Sequence, residues 1–264
     1  HWKPREGHTF VYADADQIEL RIAASRWGAA RYLEAFDKGW DPHQITMHAI
    51  WGDRIWQMQG APPTRSDRFF KTFADGSEFD KARDLGKGVL YASVYGAKVP
   101  TVHDIITGAE DRKGNLIYRD LTLREVRMMQ TNLLKNCPEF PLGWQREIHT
   151  LKTVGYIQEP VTGRRFDCLD GSDDLSLIVN RPIQSSGAGI IALATAEMRA
   201  KYPAGFGGPF TGLVNHCHDA MTWEVPISMA KQVQRDLTDA MCRTIPAFPD
   251  VAFIGEAILT PKWK

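Results

Sequence analysis

The stretch from Phe10 to Arg21, FVYADADQIELR, decides the fold of this chain. It begins with an apolar run typical of a buried strand, and apolar side chains then recur at the spacing of a helix. We therefore predict a strand over residues 9–14 and a helix from Gln17 to Trp27. Asp14 would either cap that helix or serve another purpose at the strand end. Asp16 is the better placed cap, which leaves Asp14 for another role.

A second stretch, LVNHCHDAMTWEV from Leu213 to Val225, shows the same pattern: an aspartate lies where an apolar strand ends in a turn. We predict a hairpin whose turn carries Asp219. If folding brings Asp14 and Asp219 together, the two carboxylates can bind a pair of Mg²⁺ ions, as phosphoryl and nucleotidyl transfer require. Two other interpretations stay open: Asp219 as an ordinary turn residue, and a zinc site built from His216 to Asp219.

A helix face in the middle of the chain carries the third pattern, Arg83, Lys87, Tyr91 and Tyr95, spaced by four residues. This spacing drifts by only ~40° per step, so the four side chains share one slowly winding stripe. We predict a helix over residues 81–95. Arginine and lysine suit phosphate, and tyrosine rings can stack on a sugar or a base. The stripe is therefore a candidate triphosphate site, and a solvated basic turn beside a half-buried aromatic turn is the alternative.

The composition limits the partners and the compartment. The 264 residues are 43% hydrophobic and 24% charged, as in an ordinary soluble protein. Lys and Arg together number 32, and so do Asp and Glu, so binding to nucleic acid would need a local basic surface. The four scattered cysteines argue against a disulfide framework, and no apolar run approaches the ~20 residues of a membrane span. The start lacks Met and a signal peptide, so we expect a cytoplasmic protein that is a processed product or a fragment.

The rest of the chain predicts mostly helices between two strand regions. Asp41-Pro42 is a helix-start signal, Pro182 would kink a long helix, and Val161-Thr162-Gly163 is typical of a hairpin turn. Residues 52–78 look irregular, and residues 251–259 predict a last strand. The predicted helices cover residues 31–36, 41–51, 122–134, 142–151, 175–199 and 227–242. Strands at both ends of a helical middle predict an α+β fold, a sheet with a helical insertion.

The motifs, taken in this order, resemble those of family A DNA polymerases, the DNA polymerase I family. Residues 14–21 resemble the DYSQIELR of that family, residues 83–96 resemble its fingers helix, and His218-Asp219 resembles its HDE turn. Weaker matches extend the resemblance over nearly the whole chain, namely Asp41-Pro42-His43, Gly155-Tyr156-Ile157 with Thr162-Gly163-Arg164-Arg165, Asn180-x-Pro182-x-Gln184, and Pro261-Lys262-Trp263.

The resemblance implies an antiparallel palm sheet with a helical fingers subdomain inserted between palm segments. The implied division is palm over residues 1–40, fingers over 41–150 and palm again over 151–264. The implied activity is that of a DNA-directed DNA polymerase, which extends a primer 3′-hydroxyl by two-metal-ion nucleotidyl transfer in replication or repair. The implied partners are primer–template DNA and deoxynucleoside triphosphates. The implied location is the cytoplasm, at the nucleoid, or the host cytoplasm if the chain is viral.

The resemblance also implies roles for individual residues. Two Mg²⁺ ions, with Mn²⁺ as a substitute, would be held by Asp14, Asp219 and the backbone carbonyl of Ala15. Lys87 would donate a proton to pyrophosphate and would complete the catalytic set with the two aspartates. Glu19 would exclude a 2′-hydroxyl. The nucleotide-binding residues would be Gln17, Glu19, His43, Arg83, Lys87, Tyr91 and Tyr95. The DNA-binding residues would be Arg164, Arg165, Asn180, Gln184 and His218.

Some positions depart from the family pattern. Ala15-Asp16 replaces Tyr-Ser, Ala220 replaces an acid, Ser176 stands where many relatives carry Arg, and Ser185-Ser186 replaces Gly-Thr. The thumb and the first palm segment have no counterpart, so we expect an N-terminal complementary polypeptide to supply them. Two alternatives stay open. One is an inactive DNA-binding or structural subunit. The other is a single-subunit RNA polymerase, against which Glu19 and Tyr91 argue.

Overall fold

A computed structural model of the protein describes residues 3–55, 77–110, 114–167, 175–203, 205 and 212–261. The strands are β1 (His8–Ala15), β2 (Ile157–Gln158), β3 (Arg165–Phe166), β4 (Gly212–Cys217), β5 (Ala220–Pro226), β6 (Arg243–Ile245), β7 (Phe248–Phe253) and β8 (Gly255–Thr260). The helices are α1 (Ile18–Trp27), α2 (Ala30–Asp37), α3 (Pro42–Trp51), α4 (Glu78–Val94), α5 (Val99–Thr107), α6 (Leu123–Asn136), α7 (Glu139–Val154), α8 (Leu175–Lys201) and α9 (Ala230–Met241). The chain divides into unit 1, which consists of His1–Ile22, Gln158–Arg164 and Ile183–Lys264, and unit 2, which consists of Ala23–Ile157 and Arg165–Pro182.

Unit 1 is built on a four-stranded antiparallel sheet in the order β4-β5-β1-β8. Helix α9 packs against this sheet. Side chains alternate between the two faces of a strand. Buried apolar side chains from the three strands β1, β5 and β8 include Val11, Ala13, Met221, Trp223 and Ala257. Because Asp14 follows the buried Ala13, its carboxylate points to the other face of the sheet, where it is exposed.

Unit 2 is mostly helical, and two of its helices begin after capping side chains. Asp41 caps α3, and Ser77 caps α4, each by accepting a hydrogen bond from a backbone N–H of the first turn. Gly96 follows the end of α4 with a φ of +72°. A Cβ atom at this position would lie 2.8 Å from the side chain of Leu175, so both the conformation and the space require glycine. The core of the unit includes a buried cluster of Met47, Ile55 and Phe79.

The α+β class predicted from the sequence is confirmed. The hairpin around Asp219 is present as β4 and β5, and Pro182 lies inside α8. The predicted strand over residues 251–259 is wrong in one respect. It is two strands, because β7 pairs with β6 while β8 pairs with β1, and the chain changes partner at Ile254. Helix α5 has no counterpart in the prediction, although the proline in its first turn is a helix-start signal.

The structure describes only part of two other predicted regions, residues 52–78 and the C-terminal motif Pro261-Lys262-Trp263. Of the segment predicted as irregular, residues 52–78, the described ends are helical: Gly52–Arg54 forms a 3₁₀ turn and Glu78 begins α4. Residues 56–76 and the predicted motif at Lys262-Trp263 lie outside the described residues. Among the helices of the described ranges, none combines the length and the apolar character that crossing a membrane requires.

Candidate active site

The register of the sheet brings Asp14 and Asp219 together in unit 1. Asp14 on β1 lies directly opposite Ala220, the first residue of β5, and Asp219 immediately precedes Ala220. The backbone N–H of Ala15 donates to the carbonyl oxygen of Asp219 at 3.1 Å, which ties the two strand ends to each other. His218 takes a left-handed conformation, with a φ of +59°, between β4 and β5. The two acids are therefore neighbours, as their positions at strand ends predicted.

Negative charge is concentrated at this strand end. Partial burial raises the pKa of Asp14, and the nearby charge of Asp219 raises it further. Hydrogen bonds with the Ala15 N–H and the Tyr12 hydroxyl lower that pKa in part. Burial also raises the pKa of Tyr12, and the charges of Asp14 and Asp219 add to the effect. Two carboxylates that repel each other in this way are stabilised when they share a cation.

The donor set fits magnesium better than zinc. Mg²⁺ is usually bound by one or two carboxylates and completes its octahedron with water and substrate phosphates. Asp14 and Asp219 supply two such carboxylates, while the side chain of Ala220, the first residue of β5, adds no donor atom. Over the described residues, no group of three or more His, Cys, Asp or Glu side chains is arranged to hold a metal ion. The zinc interpretation of His216 to Asp219 therefore gains no support there.

A cavity of about 150 Å³ lies beside these acids in unit 1. It is lined by residues of α1, α8 and the β4–β5 turn, among them Ile18, Glu19, Gln184, Gly187, His218 and Asp219. His218 lies between two acids: its Nε2 is 3.6 Å from Oε1 of Glu19, and its Nδ1 is 3.6 Å from Oδ1 of Asp219. The cavity thus brings together the predicted 2′-hydroxyl gate, two predicted DNA contacts and one of the predicted metal ligands.

Arg21 holds the first motif in place, although the sequence interpretation gave it no role of its own. Its side chain is 5% exposed and donates to the carbonyl and the carboxylate of Asp16, both at 2.8 Å. It also donates to the carbonyl oxygen of Ala252 at 2.9 Å. The Asp16 carboxylate, predicted as a helix cap, thus binds Arg21 in the structure. These bonds fix the segment in which Gln17 adopts a left-handed φ of +53°.

The predicted triphosphate stripe lies on α4 in unit 2, and its first residue is engaged by an acid. Arg83 donates to both oxygens of Asp41, from Nε at 2.5 Å and from Nη2 at 3.2 Å. The two side chains are 15% and 7% exposed. Lys87 is exposed one turn later. The ring of Tyr91 lies 6.0 Å from the ring of His43, and Tyr95 is the residue that follows the helix.

The residues predicted to contact DNA are found in both units. In unit 1, Arg164 and Gln184 are exposed. In unit 2, Arg165 lies over the ring of Tyr156 at 4.5 Å from its centre. Asn180 is half-buried, and its Oδ1 accepts no hydrogen bond from the residues that the structure describes. Their DNA-binding roles stay predictions.

Comparison with known proteins defines the class of the protein first. The structure resembles the polymerase domain of Pol1 from M. smegmatis, solved in complex with a DNA primer–template and dNTP. The TM-score is 0.72 at 20% sequence identity, and the match covers 99% of this chain and 41% of that one. The fold is therefore that of a polymerase domain.

The sequence then identifies DNA polymerase I as the enzyme that this chain resembles. The chain is 29% identical over 242 residues to DNA polymerase I of Aquifex aeolicus (strain VF5), a match that covers 91% of the chain and 36% of that enzyme. It is 26% identical over 242 residues to the enzyme of Chloroflexus aurantiacus, covering 89% of the chain and 22% of that enzyme. It is 24% identical over 254 residues to the enzyme of Streptococcus pneumoniae (strain ATCC BAA-255 / R6), covering 93% and 25%. No protein-family model matches the chain. The predicted resemblance is thus confirmed. The chain spans 36%, 22% and 25% of the lengths of these three enzymes.

Proposed function

We propose that this chain is the catalytic portion of a DNA-directed DNA polymerase, which adds deoxynucleotides to the 3′-hydroxyl of a primer on a DNA template. The observation that carries the proposal is the sheet register that places Asp14 beside the turn of Asp219. The similarity to DNA polymerase I, which extends over 91% of the chain, supports it. An arrangement of two adjacent acids at strand ends has no evident structural purpose, because it costs stability through charge repulsion.

Asp14 and Asp219 would hold two Mg²⁺ ions, or Mn²⁺, together with the backbone carbonyl of Ala15. Bound divalent ions activate an attacking hydroxyl and stabilise a leaving phosphate. The chain itself keeps the two carboxylates adjacent through the β1–β5 register and leaves Asp14 exposed. Because the pKa of Asp14 is raised, a proton competes with the cation for its carboxylate, so metal binding should tighten as pH rises.

The remaining roles follow the resemblance to DNA polymerase I. Residues 1–40 and 151–264 would form the palm, and residues 41–150 would form the fingers. Glu19 would exclude the 2′-hydroxyl of a ribonucleotide, and Lys87 with Arg83 would bind the triphosphate. The same resemblance implies an N-terminal complementary polypeptide that would supply the thumb and the remaining palm.

Mg²⁺-dependent primer extension tests this proposal, with and without an N-terminal segment that carries a thumb. We expect extension by the wild type and a loss on the order of 10³-fold or more in rate for Asp14→Ala and for Asp219→Ala. Asp239→Ala is the matched control, because it removes an exposed carboxylate of α9 in the same unit. The control should extend as the wild type does, and all variants should keep the circular dichroism of the wild type. Equal extension by wild type and Asp14→Ala would instead support an inactive structural subunit.

Nucleotide choice separates this function from that of a single-subunit RNA polymerase. The Glu19 side chain lines the cavity beside Asp219 and is only 16% exposed, which favours a fixed gate against a 2′-hydroxyl. We therefore expect the wild type to use deoxynucleotides in strong preference to ribonucleotides. Equal use of the two, or a preference for ribonucleotides, would support the RNA polymerase instead.

A further inference from the structure

Glu159 in unit 1 is a fully buried carboxylate that neither metal binding nor nucleotide binding uses. Its exposure is 0%, and its two oxygens accept four hydrogen bonds. The donors are the Val161 N–H at 2.9 Å, the Thr162 N–H at 2.8 Å, the Thr162 hydroxyl, and the Ser186 hydroxyl at 3.1 Å. A buried charge persists only when such partners offset its lost hydration.

The hydrogen bonds keep Glu159 ionised. Burial alone would raise the pKa of Glu159, but the bonds from Thr162, Val161 and Ser186 outweigh it and lower the pKa below its usual value. Hydrogen bonds to a charged acceptor are about twice as strong as those between neutral groups. A glutamine at this position would lose the charge and would retain one acceptor oxygen in place of two. Glu159 is therefore an anionic anchor with a specific set of donors.

The anchor fixes a turn that carries a basic side chain. The turn is closed by the Glu159 N–H, which donates to the Arg164 carbonyl oxygen at 2.9 Å. Gly163 adopts a φ of +76°, and its carbonyl oxygen accepts from Nε2 of Gln158 at 3.1 Å. Arg164 is exposed at the end of the turn. A guanidinium on a fixed turn presents its donors at one position, where a phosphate can meet them.

The turn is attached to helix α8 at two adjoining points. One is the bond from the Ser186 hydroxyl, and the other is Gly189, three residues later on the same helix face. A Cβ atom at Gly189 would lie 2.9 Å from Cγ2 of Thr162 and 3.0 Å from Cγ1 of Val161. Only a residue without a side chain therefore allows the turn to approach this closely.

A different face of α8 lines the cavity beside the metal-binding acids. Gln184 and Ala188, which are four residues apart and so share a face, both line this cavity together with Asp219. The same part of α8, within unit 1, thus carries the basic turn on one face and borders the cavity with the other. Whatever fixes the turn on α8 also fixes the backbone of Arg164 relative to the face of α8 that borders this cavity.

We infer that Glu159 is a positioning residue for primer–template binding, which holds the turn so that Arg164 contacts the DNA backbone at a set distance from the cavity. This inference rests on the proposed function, because it takes DNA as the ligand of Arg164. Glu159 itself touches no DNA. Its effect on binding therefore passes through Arg164. A loss of binding caused by general destabilisation would not depend on Arg164, so the two causes can be distinguished by experiment.

A double-mutant cycle tests the inference with the metal-free 264-residue chain and a labelled primer–template duplex, by fluorescence anisotropy at several salt concentrations. We expect Arg164→Ala to weaken binding about three- to tenfold and to lower the slope of log affinity against log salt by about 0.7–0.9, the value of one phosphate contact. Glu159→Gln should produce a similar loss and a similar change of slope. In the Arg164→Ala background, Glu159→Gln should add less than about twofold, because both changes remove one contact.

Asp236→Asn is the matched control. Asp236 is a buried carboxylate in the same unit, 5% exposed, and it accepts hydrogen bonds from Lys201, Tyr202 and Gln232. It attaches the C-terminal end of α8 to α9, away from the turn. We expect Asp236→Asn to lower the melting temperature as Glu159→Gln does, but to leave DNA affinity and its salt slope unchanged. Should Glu159→Gln fail to fold, Ser186→Ala removes one of the four donors and should act in the same direction with a smaller effect.

The outcomes distinguish the two proposals. Binding of Glu159→Gln that equals the wild type, or losses that add fully with Arg164→Ala, would overturn the positioning role and leave the proposed polymerase function standing. Equal losses of affinity in Glu159→Gln and Asp236→Asn would also overturn it, since they would reveal an effect of stability alone. A wild type that binds no primer–template at low salt, either alone or with an N-terminal segment that carries a thumb, would overturn both proposals together.

Discussion

Two charged sites among the described residues, the Asp14–Asp219 pair in unit 1 and the Arg83–Asp41 pair in unit 2, are arranged in opposite ways. In unit 1, Asp14 and Asp219 have like charges, and the charge of Asp219 contributes to the raised pKa of Asp14. In unit 2, the guanidinium of Arg83 donates to both oxygens of Asp41, at 2.5 Å and 3.2 Å. If the acidic pair binds a cation as proposed, the chain must take that cation from solution. The basic site already has its counter-charge, so a phosphate would have to compete with Asp41.

Within unit 2, Lys87→Ala is expected to have the largest effect on primer extension. Lys87 is exposed on α4, whereas Arg83 is 15% exposed and bound to Asp41. If Lys87 supplies the available positive charge and the proton for the leaving group, its removal should slow extension about 10²–10³-fold, more than Arg83→Ala does. Pre-steady-state primer extension with each variant would measure the two rates.

Lys81→Ala is the control for that prediction, because Lys81 is an exposed lysine of the same helix that faces another direction. We expect it to extend primers as the wild type does. A larger loss for Arg83→Ala than for Lys87→Ala would contradict the comparison, and would mean that Arg83 leaves Asp41 to act on the triphosphate.

Asp41→Asn has a smaller expected effect and tests the competition directly. Asparagine retains the helix cap that Asp41 provides to α3 but removes the negative charge that faces Arg83. The KM for the nucleotide should therefore fall about three- to tenfold while kcat changes little, since roughly 1 kcal/mol of competing attraction is lost. Steady-state extension at varied nucleotide concentration gives both constants.

Asp84 offers a control in the same place, because Asp84 Oδ1 lies 3.8 Å from Nη1 of Arg83 and its side chain is 59% exposed. An exposed ion pair contributes little, so Asp84→Asn should leave KM unchanged. A rise of KM in Asp41→Asn would show that Asp41 positions Arg83 for the triphosphate and does not compete with it.

The same contrast explains how much of each site the sequence could predict. Asp14 and Asp219 were predictable because each follows a local strand pattern, and strand pairing then determines where both ends meet. The ion pair of Arg83 with Asp41 joins residues 42 positions apart on different helices, and no spacing rule relates them. Its existence depends on how the helices pack, which is a property of the folded core.

Glu159 was missed for a related reason. Its sequence neighbours indicate only a turn, which the prediction placed correctly at Val161-Thr162-Gly163. What makes Glu159 special is the close approach of α8, and this depends on the missing side chain of Gly189 and on the Ser186 hydroxyl. Ser186 was noticed only as a departure from the family pattern. An acid two or three residues before a Val-Thr-Gly turn is the one local signal that could have indicated an anchor.

The smallest expected effect is that of Asp14→Asn on the stability of unit 1. It tests whether the charges of Asp14 and Asp219 repel each other in the folded state or are offset by other groups. The folded-state pKa of Asp14 is raised, so folding is opposed once its carboxylate ionises. Protonated Asp14 therefore stabilises the folded state, and this contribution to the free energy of unfolding is fully present below the unfolded pKa of about 4. It is lost as pH rises through the higher folded pKa.

Asp14→Asn should therefore raise the melting temperature by about 1–3 °C at pH 8, and the difference from the wild type should shrink toward zero as the pH falls below about 4. Adding Mg²⁺ at pH 8 should stabilise the wild type more than Asp14→Asn, because a ligand stabilises only the state that binds it. Thermal unfolding followed by circular dichroism across this pH range measures both effects, with Asp239→Asn as the exposed control. A lower melting temperature for Asp14→Asn at pH 8 would mean that Asp14 is compensated by the fold as Arg83 is, and the contrast between the two sites would then be wrong.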